Sequence, residues 1–355
     1  MIKIKISLGW NMPLKGSSPY GNDLSIFNFT NTSDNIYNNK KFYINSDIDN
    51  PDYWFVIENT RKSLPEKLNI SSGRIFLLNS ETRYKDSYYL KKSKKSFVDQ
   101  FDKIYSPYYM GLNKVKNKPP YLIWRLRGDP FEDFYDESDI EFYKNLKPKK
   151  EKLISVFCTD KEFTEVQKVR LNFVKKLKYV FGDDLDWYGT DLQINTKYDG
   201  IAKYKYHLVL ENQINNNFIS EKLYDSFLGD SYPIYAGAPN LDKYFSKNSF
   251  TPINLNDFNG SLNKISTCIE NNMYEKNKEN LRNSREIVLD KFNLIKRIDK
   301  IVEECAKNNL STNSFQYQTI YPKTFFESRS VIARLSFLLN KKIKKISQFL
   351  EKFYT

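Results

Sequence analysis

The stretch Tyr206–Pro239, YHLVLENQINNNFISEKLYDSFLGDSYPIYAGAP, decides the fold. It opens on His207-Leu208-Val209-Leu210, an apolar run that reads as a buried strand. Glu211 and Asn212 close that run, and a loop with three consecutive asparagines follows. Leu223 with Phe227 and Tyr224 with Leu228 then recur at helical spacing, with Ser220 as N-cap. Pro233 to Ala236 reads as a second buried strand running into Gly237-Ala238-Pro239, a turn that admits close approach of backbone to a ligand. The unit is strand-loop-helix-strand. In a parallel α/β sheet it places Glu211 and Asn212 at a strand's carboxyl end and Ser220, Glu221 and Lys222 at a helix amino end, both facing one crevice. Unpaired N–H groups and the Lys222 charge there suit a phosphate or diphosphate. On these grounds alone an ordinary capped crossover is an equally good reading.

The string L-E-N, then I-S-E-K-L-Y-D, then P-I-Y-A-G resembles the signature of the GDP-fucose-dependent α-1,3/4-fucosyltransferases, glycosyltransferase family ten, with the spacing kept throughout. One departure is Phe218, where the family carries Tyr; it removes a hydroxyl that would reach the nucleotide. The resemblance extends over most of residues 70 to 300 and implies a GT-B architecture, two Rossmann-like domains facing across a cleft. It also implies inverting transfer of L-fucose from GDP-β-L-fucose to a hydroxyl of an oligosaccharide or glycoconjugate acceptor, in α-1,3 or 1,4 linkage. The implied general base is Glu81, in the context Asn79-Ser80-Glu81; Thr82 follows it where relatives have Ser or Pro. Glu58, at the end of another strand signal, is its rival, although an ordinary loop carboxylate is the better reading there. Lys222 matches the lysine of T-E-K. Arg170, in Arg170-Leu171-Asn172-Phe173, matches the arginine of R-x-x-F; the two would neutralise the leaving GDP. Without the resemblance, Arg170 reads as half of a surface ion pair. Glu221 is expected beside the fucose and Asn212 on the nucleotide. Glu211 either anchors the ribose or braces the loop, and Tyr188 and Gly189 are the weakest of the guanine or ribose contacts. Asp184-x-Asp186 invites a metal reading, but it lies in a helix-to-strand connection and reads better as a solvated turn. No cofactor is expected, and a divalent metal is expected to be stimulatory at most.

Composition is consistent with this picture. Hydrophobic residues at 40% and charged residues at 28% are those of a globular protein, and 16% aromatic content argues against disorder. Lys+Arg 56 against Asp+Glu 43 leaves +13, which points to an anionic partner such as a nucleoside diphosphate, nucleic acid or an anionic membrane. Carboxylates at strand ends argue against a nucleic-acid binder; a relative using another GDP-sugar stays open. Cys158, Cys268 and Cys305 read as free buried thiols in a reducing compartment. His207 is the single histidine and reads as a core residue, so neither a Cys/His metal cluster nor a Ser-His-Asp triad is expected.

Along the chain, Ile2–Ile6, Tyr53–Ile57, Ile75–Leu78 and Leu153–Cys158 carry strand signals. The charged, proline-interrupted run Lys147–Lys152 reads as a linker. The expected domains are therefore 1–150, acceptor-side and carrying the base; 151–310, binding the donor; and 311–355, a helical tail. In that tail Val331, Leu335, Leu339, Ile343, Ile346 and Leu350 form one apolar face opposite Lys341, Lys342, Lys344 and Lys345. Such a helix either packs back on the body or contacts anionic lipid, and the second is favoured for its last turns. The absence of any run of about twenty apolar residues, and a start that reads as a strand, give an expected cytoplasmic location, peripheral on the inner membrane face.

Overall fold

The computed structural model describes residues 1–9, 34–80, 97–108, 110–127, 140–162, 164–189, 194–307 and 315–327. The first unit is built on β1 (Ile2–Leu8), β2 (Ile36–Tyr37), β3 (Lys40–Ile44), β4 (Tyr53–Ile57), β5 (Glu66–Ser71), β6 (Ile75–Leu78), β7 (Lys103–Ser106) and β8 (Val115–Asn117). All but β5 join one sheet in the order β2-β3-β1-β4-β6-β7-β8, parallel except for the short β2 edge. Every residue of β4 is buried because both faces of the sheet are covered. Phe55 and Ile57 point into one apolar cluster and Trp54 and Val56 into another, as alternation along a strand requires.

The second unit follows as α1 (Ile140–Asn145), β9 (Lys152–Phe157), α2 (Glu165–Phe181), β10 (Leu185–Tyr188), α3 (Lys197–Ile201), β11 (Tyr204–Leu210), α4 (Glu221–Leu228), β12 (Tyr232–Ala236), β13 (Thr251–Pro252), α5 (Phe258–Glu270), α6 (Met273–Lys276) and α7 (Lys278–Lys291). Its sheet, β10-β9-β11-β12-β13, is wholly parallel. Each sheet winds outward in both directions from its first strand. The order therefore reverses between β1 and β4 in one sheet and between β9 and β11 in the other, and such reversals open a crevice at the strands' carboxyl ends. α2 starts where Thr164 and Gln167 form a reciprocal capping box, with bonds of 3.2 and 3.0 Å.

The carboxyl ends of the two sheets meet. Tyr108, just past β7, stacks on Phe218 with ring centroids 6.1 Å apart and donates its hydroxyl to Gln213 at 2.6 Å. Asn117, at the end of β8, accepts from Asn217. Both Gln213 and Asn217 lie in the loop after β11, so the two crevices face each other across a shared seam. This is the α/β, two-unit GT-B arrangement expected from the sequence.

The chain crosses between units at places the expected boundaries did not mark. Tyr121 and Ile123 pack in the first core, whereas Trp124, Leu126 and Tyr143 already pack in the second, ahead of residue 150. The return crossing is α8 (Leu294–Lys307), which lies within 151–310 but buries Leu294, Ile295, Ile298, Ile301, Val302 and Cys305 against the first sheet. Beyond residue 311 the chain forms β14 (Phe315–Ile320), antiparallel to β5, and then α9 (Lys323–Glu327). The basic amphipathic stretch from Val331 lies outside the described residues. Among the described residues no helix is long and apolar enough to cross a membrane.

Within the run read as a linker, Lys150 turns inward. Its ammonium donates to Ala202 O at 2.8 Å, Gly229 O at 2.9 Å and Ser231 Oγ at 3.2 Å. Burial, reinforced by Arg285 and opposed by Asp230, pushes its pKa down to about 7. Above that value the folded protein binds fewer protons than the unfolded chain, until the ordinary lysine range near 10.5 is reached. The burial penalty is thus fully present below the folded pKa and is relieved as pH rises through this window. Lys150→Met should flatten that part of the stability profile; denaturant midpoints measured from about pH 7 to pH 10 check it.

Candidate active site

β11 ends at Leu210, and the next two side chains diverge. Glu211 turns wholly inward, where it accepts from the Ser220 N–H at 2.7 Å and from the Ser220 hydroxyl at 2.6 Å. Ser220 in turn caps α4, its Oγ accepting from the Lys222 N–H at 3.3 Å. Burial raises the Glu211 pKa, against the opposing pull of Lys222 and of the Ser220 bonds. Of the two roles open for Glu211, the structure favours bracing: with no exposed surface it fixes the loop and the helix start. Gly237 follows from the same packing. A Cβ there would overlap the Tyr235 hydroxyl and Glu211 Cγ, so the close approach expected at this turn is to protein.

Asn212 accepts from the Arg170 guanidinium, which reaches across from the second turn of α2 and is itself buried. This joins the helix after β9 to the end of β11, directly over the reversal point of the sheet. Arg170 Nε is buried with no hydrogen-bond partner among the described residues. The surface ion pair considered for Arg170 is not what forms.

At the start of α4, the Lys222 ammonium lies 3.2 Å from Glu221 Oε1 and 3.4 Å from Ser220 Oγ, and its side chain keeps 24% of its surface exposed. Two cations that the sequence reading missed join it. Lys197 pairs with the buried Asp225 at 2.8 Å, and the Arg125 backbone N–H donates to the other Asp225 oxygen at 2.7 Å. Burial alone would raise the Glu221 pKa. The charges of Lys222, Lys197 and Arg125 outweigh it and hold the carboxylate well below its usual range. Glu221 is thus a fixed anion ringed by cations. Asp225 is the signal that was passed over: a buried acid one turn into a helix demands a cation.

The remaining candidates fall below the crevice floor or at the seam. The Tyr188 hydroxyl is spent on Tyr204 at 2.6 Å, and its ring stacks on Phe157 at 5.3 Å, so it is a core residue. Gly189 has φ +130° and an added Cβ would come within 2.8 Å of Cys158 O, so its requirement is local packing of strand ends. Phe218 is buried against Tyr108 and acts between the units. Asn217, at φ +66°, takes the left-handed conformation that Asn tolerates. It binds Asn240, Tyr244 and Asn117, making the asparagine loop a bonded node. Asp186 is engaged by Lys152 at 2.6 Å and by the Tyr204 hydroxyl. His207 is a core residue bonded to Ser155 at 2.8 Å, with its pKa pushed down to about 3 by burial.

Glu81 lies outside the described residues, but the chain leading to it is fixed. Asn79 N–H bonds Tyr105 O at 2.8 Å, and Ser80 both donates to Tyr121 O at 2.8 Å and accepts from the Tyr121 N–H at 3.0 Å. Glu58, the rival, is buried at φ +64°, accepts from the Ser80 N–H and pairs with Lys323 at 3.0 Å. Its carboxylate holds the strand ends together and the C-terminal segment onto them.

Residues 147–317 match the family described as glycosyltransferase family 10 (fucosyltransferase) C-term. Over 65 residues the chain is 32% identical to the alpha-(1,3)-fucosyltransferase of Helicobacter pylori, a match spanning 18% of this chain and 13% of that relative. Among solved structures, an alpha1,3-fucosyltransferase with GDP-fucose aligns with a TM-score of 0.47 and 15% identity over 78% of this chain and 81% of the other. HepE of Anabaena in complex with UDP aligns with a TM-score of 0.44 and 8% identity over 86% of this chain and 100% of the other.

Proposed function

We propose that this chain, whose residues 147–317 match the family described as glycosyltransferase family 10 (fucosyltransferase) C-term, moves L-fucose from GDP-β-L-fucose to a hydroxyl of a glycan acceptor with inversion, giving an α-1,3 or α-1,4 linkage. The observation that carries this reading is the cation set at the β9/β11 reversal. Arg170 from α2 and Lys222 from α4 are tied to adjacent residues, Asn212 directly and Glu211 through Ser220. Anions favour such a place, where a helix amino terminus and fixed ammonium and guanidinium groups coincide.

In this reading the diphosphate lies against Arg170, Lys222 and the start of α4. The acceptor oxygen attacks C1 of the fucose from the opposite face while the C1–O bond to the diphosphate breaks. Glu81 takes the hydroxyl proton, and GDP leaves with the bonding electron pair. Positive charge gathers on the sugar ring as the bond stretches, and ionised Glu221 stabilises it. The cations oppose the charge accumulating on GDP and are already oriented before the reaction begins. Chemistry supplied by these side chains needs no metal ion, and the amphipathic tail from Val331 serves as a contact with anionic membrane.

A thermal-shift series with GDP, GDP-fucose, GDP-mannose and UDP-sugars tests the donor. The largest stabilisation is expected for GDP-fucose, since a ligand that binds only the folded state raises Tm with its affinity. A larger shift with another GDP-sugar would replace fucose as the donor, and none with any guanine nucleotide would remove the diphosphate site.

A further inference from the structure

At the seam, on the side of α8, lies a cavity of about 450 Å³ with walls from both units. Tyr105 and Tyr121 line it from the first unit, Tyr244 and Phe292 from the second. Its volume is in the range of small-molecule sites, roughly 300–1,000 Å³. Four exposed lysines, Lys118, Lys243, Lys291 and Lys300, stand around it, and none forms an ion pair with a described residue. Arg297 is fixed in the wall, donating to Pro119 O and Pro120 O at 2.6 and 2.5 Å with its guanidinium 3.6 Å over the Tyr121 ring. Of the two carboxylates present, Asp290 is held by Lys296 at 2.8 Å. Several like charges gathered round one concavity set up a positive potential that draws a multiply anionic occupant.

The cavity also reaches the loop between β11 and α4. The Tyr244 hydroxyl donates to Asn217 Oδ1 at 2.6 Å, and Asn217 binds Asn117, the neighbour of Lys118. Phe218 follows directly in sequence. We propose that this cavity binds the anionic portion of the acceptor, a saccharide carrying carboxylate or phosphate groups. The inference rests on the transferase reading for the word acceptor, but not for the binding itself. A concavity with lysines on several sides fits a saccharide whose charged substituents diverge better than it fits a flat lipid surface.

The test compares one oligosaccharide bearing a carboxylated terminal sugar with its neutral counterpart. Binding to the GDP-loaded full chain is measured by calorimetry for the native protein and for Lys118→Glu/Lys300→Glu, two exposed positions away from the transfer residues. The native protein should prefer the acidic form. The double variant should lose roughly tenfold of that affinity while holding the neutral form unchanged, and with GDP-fucose present the same change should appear in KM and not in kcat. Inorganic phosphate should displace the acidic oligosaccharide. Equal affinity for both forms, or a preference that the double variant keeps, overturns the proposal. Binding of phosphate with no oligosaccharide, or loss in the variant confined to anionic-lipid vesicles, overturns it in favour of a free anion or a membrane. If GDP-fucose is never turned over yet the charge-dependent binding stands, the transferase reading fails alone.

Discussion

Glu81→Gln should lower turnover about 10²–10⁴-fold, the usual contribution of a positioned general base, while GDP binds as tightly as before. The amide keeps the size of the side chain but takes no proton from the acceptor hydroxyl. In the proposed reading GDP affinity is set by Arg170, Lys222 and the start of α4, so it should not move. The carboxylate at the end of β4 offers no substitute, since Glu58 is buried and committed to Lys323 and to the Ser80 N–H. Single-turnover rates with GDP-fucose alongside GDP titration check both halves. Turnover within a few-fold of the native protein would remove Glu81 from the chemistry.

The second large effect is expected at Lys222. Its ammonium is partly exposed and, among the described residues, bonded only to its helix-start neighbours, so Lys222→Ala should leave the fold nearly as stable as before. GDP affinity should fall by the worth of a charge-assisted hydrogen bond, about 1.5–3 kcal/mol, or roughly 10- to 150-fold. Turnover should fall further, because the same cation also helps keep Glu221 ionised. Arg170→Ala is the less clean companion: the guanidinium is buried on Asn212, and removing it leaves a cavity as well as a missing charge. Calorimetric GDP titration of Lys222→Ala distinguishes the cases, and unchanged affinity would contradict a phosphate role.

Much of the fold was legible because parallel strands buried on both faces must read as apolar runs. Tyr53–Ile57 and Ile75–Leu78 were expected as strands with the same bounds they have in the structure. The α4 register followed from four-residue spacing and a serine cap. What escaped were relations between distant segments. Nothing local in Leu294–Lys307 tells that its apolar stripe covers the first sheet, and nothing in Phe315–Ile320 tells that it pairs with Glu66–Ser71. The run Lys147–Lys152 looked like a linker because its charge was counted and its burial was not, and Lys150 lies among backbone carbonyls. In the site, the motif led to Lys222, Glu221, Asn212 and Arg170, which the fold gathers at one strand end. It gave no hint of Lys197 or Arg125, whose positions depend on the buried acid Asp225. Tyr188 was misjudged for the complementary reason: the end of a strand may face the crevice or the core, and its hydroxyl is taken by Tyr204.

The most direct measurement is the anomeric configuration of the product formed from GDP-β-L-fucose and a glycan acceptor, read from the proton NMR coupling at the fucose C1. A diphosphate held on the cations of α2 and α4, with the base on the opposite wall, predicts an α-fucoside from the first turnover. A β-fucoside, or transfer that survives loss of both Lys222 and Glu81, would contradict it.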